Sequence, residues 1–396
     1  MEETAAVSSP TQESIRFDLN ELFRGAIRMI LELLLDEEVK AMVGARRLER
    51  IGSRKDHRNG SYLRRLVTSM GLINVEMPRT RQGGSPVDVI GRYKRRTEEL
   101  DGMIAQAYVQ GVSTRGMGRV AESLLGNSVS RSTVSRVTKT LEQQIEELRS
   151  KPLSEPFPYL YLDATFLDAR WARSVENVSA LVAYGVDFSG HRRLLGVTIG
   201  AEESEESWSE LLSQMCDRGL SGVQLVIADE HRGLRNAVRK MLPEARQQRC
   251  TVHLERNVLA KVPRRLRGRV AKQLRHVFAA DSVDAVKERV AVLEAGLGAQ
   301  IPEAIACLKA AVPSATQYLA FPKAHWLRIR STNGLERLHG EIKRRIRSVG
   351  AFPDRNSALR LVTAVAVQTA DVWATRRYLD MTLLDQRKEA ADRIPA

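Results

Sequence analysis

The chain reads as an α/β protein in which a mixed five-stranded sheet carries an all-helical insertion and is preceded by a mainly helical region. Three observations predict this. A break at Lys151–Pro158 holds three prolines and separates helical periodicity before it from strand-like runs after it. Short apolar runs and amphipathic stretches then alternate as far as Val252. From 254 to 320, and again from 333 to 395, the patterning is helical throughout. With 396 residues, 43% of them hydrophobic, the chain is long enough for about two or three domains of ~150 residues each.

Residues 1–14 are polar and read as a disordered tail. An amphipathic helix is predicted over Leu19–Val43, where Leu19, Leu22, Phe23, Ala26, Ile27, Ile30, Leu31, Leu34 and Leu35 recur at helical spacing. Gly44 suits the position just past its end. A basic, turn-rich stretch, Arg46–Arg65, leads into a loosely alternating segment, Leu63–Met77, expected to form a short hairpin closed by Pro78. Arg79–Pro86 reads as a basic linker, so 15–97 forms a helical and basic N-terminal region. Within 98–150, the segments Ser113–Leu125 and Ser132–Leu141 flank a break at Gly126–Ser130 with helix-turn-helix spacing. Gly126 would end the first helix, and Ser130 or Ser132 would cap the second. That second helix presents Arg131, Ser135, Arg136 and Lys139, residue types that touch phosphates and base edges. Ordinary helix packing is the competing reading of the same pattern.

After the break, Tyr159–Ala164, Val178–Phe188 and Arg193–Gly200 read as strands, and their short connections imply antiparallel neighbours. A helix (Glu206–Arg218), a strand (Val223–Ala228), a helix (His231–Leu242) and a short strand (Arg249–Val252) follow. Strand–helix–strand alternation implies right-handed parallel crossovers. The result is a mixed sheet with helices on both faces.

The net charge of +14 and an isoelectric point near 9.9 point to a polyanionic partner. Among DNA, RNA and anionic membrane, membrane is the weakest candidate. The apolar stretch Met29–Leu35 is interrupted by Glu32 and falls far short of ~20 residues. The acidic start, Met1-Glu2-Glu3, does not read as a signal peptide. Three cysteines, Cys216, Cys250 and Cys307, make no disulfide framework, which fits a reducing cytosol.

Three carboxylates stand in unusual settings. Asp163 and Asp229 end the apolar runs Tyr159–Leu162 and Leu225–Ala228, and Glu336 opens a helix crowded with arginine and lysine. A carboxylate at a buried strand end must be hydrated, paired or metal-bound, or it costs several kcal/mol. Each has an ordinary alternative: a turn for Asp163, an N-cap for Asp229, and for Glu336 a near capping box with Asn333 as N-cap. Asp168 and Glu341 are the local competitors. Asp168 has more polar neighbours, and Glu341 can pair with Arg345 four residues on. Beyond Glu336 its helical face continues as Gly340, which leaves room for a large ligand, then Lys343 and Arg347, which suit a phosphate backbone. The separations are 66 residues from Asp163 to Asp229 and 107 from Asp229 to Glu336. The second leaves space for a helical insertion.

These residues lie in a longer run of text that resembles bacterial insertion-sequence transposases of the Mutator type. It includes His57-Arg58-Asn59-Gly60, Pro78-Arg79-Thr80-Arg81, Tyr161-Leu162-Asp163-Ala164-Thr165, Glu205-Glu206-Ser207-Trp208, Ala228-Asp229-Glu230-His231-Arg232-Gly233-Leu234, Gln248-Arg249-Cys250-Thr251-Val252-His253 and Ser331-Thr332-Asn333-Gly334-Leu335-Glu336. The likeness spans roughly 15–385. One departure is Gln247, where similar proteins usually have tryptophan. The resemblance implies a ribonuclease-H-like catalytic domain at 157–255 and 325–350, a helical insertion at 256–324 and C-terminal helices at 351–396. It also implies a catalytic Asp163, Asp229, Glu336 triad holding two Mg²⁺ ions, with Mn²⁺ able to substitute.

Cys250 and His253 would be half a zinc site, but no second pair follows them. Positioning of the scaffold or of DNA is the favoured reading. Trp208 reads as a buried helix residue rather than a base-stacking platform. Lys261, Arg264 and Arg265 open a basic run with few acids to balance it, which suits a DNA backbone track.

The expected function is therefore Mg²⁺-dependent nicking at element ends followed by strand transfer, with no covalent protein intermediate. The expected partners are double-stranded DNA, as terminal inverted repeats and target, and a second copy of the chain or more. The expected location is the bacterial cytoplasm, associated with the nucleoid. A catalytically silent, transposase-derived DNA-binding regulator is the alternative. A nuclease without strand transfer is a third.

Overall fold

The computed structural model describes residues 12–86, 88–91, 94–125, 128–171 and 174–384. The chain forms two compact units, Met1–Lys139 and Thr140–Ala396.

In the first unit, helix α1 (Gln12–Val43) runs onto a hairpin of β1 (Arg58–Thr68) and β2 (Gly71–Thr80). Leu35 of α1 packs with Leu66, Ile73, Val75 and Met77, the inward positions of the two strands. The expected tail lies outside the described residues up to residue 11, but α1 already includes 12–14. The hairpin is longer than expected, and Pro78 lies inside β2, opposite Ser61, rather than closing it. Both strands of a two-stranded sheet are edges, where a missing N–H is tolerated. Three helices follow: α2 (Glu98–Val109), α3 (Thr114–Leu125) and α4 (Arg131–Thr138). Ser130 caps α4 by accepting from the Thr133 amide. The turn expected at Gly126 lies outside the described residues.

The second unit starts with a 3-10 turn and α5 (Glu142–Ser150). The sheet follows, with β3 (Tyr159–Trp171), β4 (Ser174–Val186), β5 (Arg192–Gly200), β6 (Leu225–Ala228) and β7 (Arg246–Arg249) in the spatial order β5-β4-β3-β6-β7. β3, β4 and β5 are antiparallel, while β6 runs parallel to β3 and β7 parallel to β6. The five-stranded mixed sheet is thus present. Against expectation β4 runs from Ser174 to Val186 and β6 starts only at Leu225, and two further differences bear on the site. β3 runs on to Trp171, so Asp163 lies within a strand and not at a turn. Beyond Ala164 the outward positions Phe166, Asp168 and Arg170 are exposed while Thr165, Leu167 and Ala169 are buried, an alternation of the half-buried kind. β7 ends at Arg249, and Thr251–Val252 already belong to the next helix.

One face of the sheet, with Leu160, Leu162, Leu181, Leu195 and Val226, is covered by α6 (Glu205–Asp217) and α7 (Arg232–Met241), whose Trp208, Leu212, Met215 and Leu234 fill the core. Each such side chain contributes about 1.5–3 kcal/mol by leaving water. Four helices form a separate core around Leu274, Val290 and Leu308: α8 (Thr251–Ala260), α9 (Arg264–Val277), α10 (Val283–Leu297) and α11 (Pro302–Ala315). A short α12 (Trp326–Ile329) leads to α13 (Asn333–Val349) and α14 (Arg355–Ala374). Both pack on the second face of the sheet, where Tyr161 stacks on Tyr184 at 4.4 Å and Tyr184 meets Trp373 at 5.2 Å. The helical stretch expected to run unbroken to 395 is interrupted at Gly350, whose φ is +75°.

Candidate active site

The register of β3 against β6 sets Tyr159 beside Leu225, Leu160 beside Val226 and Tyr161 beside Ile227. Continued by two residues, it brings Asp163 alongside Asp229, just beyond the last residue of β6. Neighbouring strands lie about 4.8 Å apart, so the two carboxylates share one patch at the carboxyl end of β6, where open α/β sheets receive ligands. Asp229 is not a helix cap. His231 occupies that position on α7 without a side-chain cap bond, and Asp229 Oδ1 accepts from the next amide, Glu230 N, at 2.7 Å.

Asp163 faces inward on the side covered by α13. Burial pushes its carboxyl up to about 7. The His253 charge and the Ala164 amide pull against that shift, and Asp229 and Glu203 reinforce it. Its Oδ2 lies 3.5 Å from Nδ1 of His339 on α13. Burial holds His339 down at about 3, with the Lys343 and His253 charges adding to the effect, so the ring is neutral at ordinary pH. Among the described residues His339 Nε2 is buried without a hydrogen-bond partner, and so is His253 Nδ1.

His253 stands on the first turn of α8. Contact with Cys250 raises it to about 9 against the opposing effect of burial, and the charges of Cys250, Asp163 and Asp229 add to the rise. Burial alone would raise the Cys250 thiol, but His253 and Thr332 together bring it below the usual thiol range. Its sulfur accepts from Thr332 N at 3.3 Å and Thr332 Oγ1 at 3.4 Å. Cys250 N bonds Ala228 O, and Thr251 N bonds Arg330 O. Cys250 therefore ties the end of β6 to the start of α13. This explains a further difference from expectation: Thr332, not Asn333, is the N-cap of α13, and its hydroxyl is turned to the sulfur and makes no cap bond.

Glu336 lies one turn before His339 on the same helix. Its carboxylate is held by Arg256 of α8 at 2.5 Å. Gly340 has open space where a side chain would stand. Among the described residues no group of three His, Cys, Asp or Glu side chains is arranged to hold a metal ion. The two aspartates are hard oxygen donors of the kind Mg²⁺ takes, and their crowded, partly dry setting suits a dication. Glu336 is not drawn in with them.

The competitors are placed elsewhere. Asp168 is exposed and accepts from Asn177 Nδ2 across the strand pair. Glu341 pairs on its own helix with exposed Arg344 and buried Arg345. Trp208 is fully buried, its Nε1 donating to Glu203 at 3.3 Å. Arg131, Arg136, Lys139, Lys261, Arg264, Arg265, Lys343 and Arg347 are all exposed. Arg256, Glu203 and His339 at this site escaped the sequence reading, and Arg256 carries no local signal because its partner lies 80 residues away. Glu203 sits in an acidic run that reads as a helix start. His339 follows Glu336 by three residues, a spacing that marks it as a neighbour on one helical face.

The fold and site define an acidic patch at the end of a mixed α/β sheet in a strongly basic protein. The family described as transposase, Mutator family, matches residues 1–376, and the chain belongs to that family. It is 35% identical over 374 residues to the transposase for insertion sequence element ISRM5 of Rhizobium meliloti, covering 94% of this chain and 93% of that one. It is 37% identical over 376 residues to the transposase for IS1081 of Mycobacterium tuberculosis (93% and 90%), and 32% identical over 379 residues to the transposase for IS256 in transposon Tn4001 of Staphylococcus aureus (94% and 96%). Among solved structures, a simian T-cell lymphotropic virus intasome with the PP2A regulatory subunit B56 gamma reaches a TM-score of only 0.16 at 12% identity, over 40% of this chain and 57% of that one. That likeness is too slight to bear on the fold. No helix among the described residues is long and apolar enough to cross a membrane.

Proposed function

We propose that this transposase cuts DNA at the ends of its insertion sequence and joins the freed 3′-hydroxyl to a target phosphodiester, on a ribonuclease-H-like sheet, with Asp163, Asp229 and Glu336 as the metal-holding triad. The observation that carries this reading is the placement of Asp163 on β3 alongside Asp229, the residue just past the end of the parallel strand β6, with Asp163 buried enough that burial and its acidic neighbours oppose its ionisation. Such a pair favours an added positive charge. Two Mg²⁺ ions bound there would supply Lewis-acid stabilisation of the attacking and leaving oxygens.

The chain's own residues set the geometry. The Ala164 and Glu230 amides orient the two aspartates. Neutral His339 braces Asp163 without competing as a charge. Glu336, held by Arg256 here, would have to leave that partner to hold the metal with the two aspartates. The basic faces on α9 and α13 hold the phosphate backbone. Two element ends must be held together, so the acting species is a homodimer or larger.

The test uses labelled terminal-repeat DNA with Mg²⁺ or Mn²⁺ and compares wild type with Asp163→Asn, Asp229→Asn and Glu336→Gln. Each variant is expected to lose nicking and joining while still binding DNA. Wild-type activity in all three would end the proposal. The Glu336–Arg256 ion pair favours one other reading, a DNA-binding regulator without catalysis. Binding by wild type with no cleavage under any divalent cation would establish it.

A further inference from the structure

The first unit contains a cleft of about 1030 Å³ beside the hairpin. Tyr62, Leu63, Arg64 and Arg65 line it in succession. Neighbouring strand residues point to opposite faces, so four in a row means that the cleft follows the edge of β1. Its lining includes five arginines, Arg64, Arg65, Arg79, Arg95 and Arg96, and among the described residues no acidic one. Two of these have structural work. Arg64 donates to the Gly91 and Lys94 carbonyls, and Arg96 pairs with Asp101.

The other three do not. Arg65, Arg79 and Arg95 are exposed and have no carboxylate partner among the described residues. Arg79 lies over the Tyr62 ring, 4.3 Å from its centroid, which orders the guanidinium while leaving its N–H edges open. Leu63 is 73% exposed beside them, an apolar surface next to unpaired positive charge. Three like charges held in one concave place repel one another, an arrangement that an anion with repeated charges relieves.

We propose that this cleft is a DNA-backbone clamp, in which Arg65, Arg79 and Arg95 grip consecutive phosphates of one strand and Leu63 and Tyr62 cover the sugar edge. It gives a physical role to the Pro78-Arg79-Thr80-Arg81 segment. It borders the N-terminal turn of α4 through Ser130 and Thr133, on the helix that carries Arg131, Arg136 and Lys139, and it reads charge rather than base sequence. The inference rests on the reading that the chain acts on DNA.

The experiment measures binding of the full chain to an arbitrary duplex of about 30 base pairs by fluorescence anisotropy, with salt varied from about 50 to 200 mM. The Arg65→Ala/Arg79→Ala/Arg95→Ala variant should bind at least tenfold more weakly at the lowest salt. Its log–log salt slope should be shallower by about 2.7, at roughly 0.9 per phosphate contact. The corresponding triple lysine variant should keep the slope. Circular dichroism checks folding. If the triple alanine variant is unfolded, the three single alanine variants are read instead, each losing about 0.9. Wild-type affinity and slope in the alanine variants overturn the clamp. A wild type that shows no salt-dependent duplex binding overturns the DNA reading itself, so the two failures are distinct.

Discussion

Asp163→Asn should abolish catalysis and, in metal-free buffer, make the protein more stable. Burial and neighbouring carboxylates move the Asp163 carboxyl from 3.8 to about 7. At 1.36 kcal/mol per pH unit, keeping it ionised in the folded state costs about 4 kcal/mol. The sign follows from linkage. The folded chain holds this proton more tightly than the unfolded chain, so the carboxyl's contribution is fully present below pH 3.8 and is lost as pH rises through about 7. Asparagine keeps the oxygen that accepts from Ala164 N and has no charge to desolvate. In EDTA, wild type and variant should therefore melt together near pH 4 and separate toward pH 8. The variant should then melt about 8–16 °C higher, at about 2–4 °C per kcal/mol for a unit of this size. Added Mg²⁺ should raise the wild-type melting temperature and leave the variant unchanged. Parallel pH–stability curves for the two proteins would show that Asp163 is not electrostatically frustrated, and the argument for a cation at this place would lose its basis.

Three other outcomes are expected. Gly190→Ala should cost about 3–4 kcal/mol in urea unfolding, because φ is +81° and the new Cβ would collide with the Leu379 carbonyl; an unchanged midpoint contradicts this. His325 is buried, with Nδ1 on the Tyr159 hydroxyl at 2.8 Å, and burial depresses its pKa, so its neutral form belongs to the fold. Its contribution is present above pH 6.5 and lost as pH falls, and His325→Gln should flatten that part of the stability curve; coincident curves would refute the assignment. Arg256→Gln removes an ion pair whose partners are 59% and 30% exposed, so stability should change by less than about 1 kcal/mol. If Glu336 is a metal ligand, the same change should lower the Mg²⁺ concentration needed for half-maximal cleavage, and an unaltered requirement counts against that role.

How far the site can be read from the chain depends on how local each cause is. The antiparallel order of β3, β4 and β5 follows from short connections, and the parallel placement of β6 and β7 follows from intervening helices, so the neighbourhood of Asp163 and Asp229 is legible. The length of β3 is not, because its second half, from Ala164 onward, has Asp168 and Arg170 on its outward side and looks like a loop. β7 is Arg-Gln-Gln-Arg, a strand with no apolar signal. It forms because Gln248 is buried and satisfied by the Ala315 carbonyl and the Tyr318 amide from far along the chain. The same distance in sequence hides the electrostatics that matter most. Arg256 meets Glu336 across 80 residues, and His339 reaches Asp163 from a different element altogether. Local pattern names the three acids. It does not say that one of them is paired with an arginine while the other two share a patch, and because of that difference Glu336 would have to leave Arg256 before it could join the proposed triad.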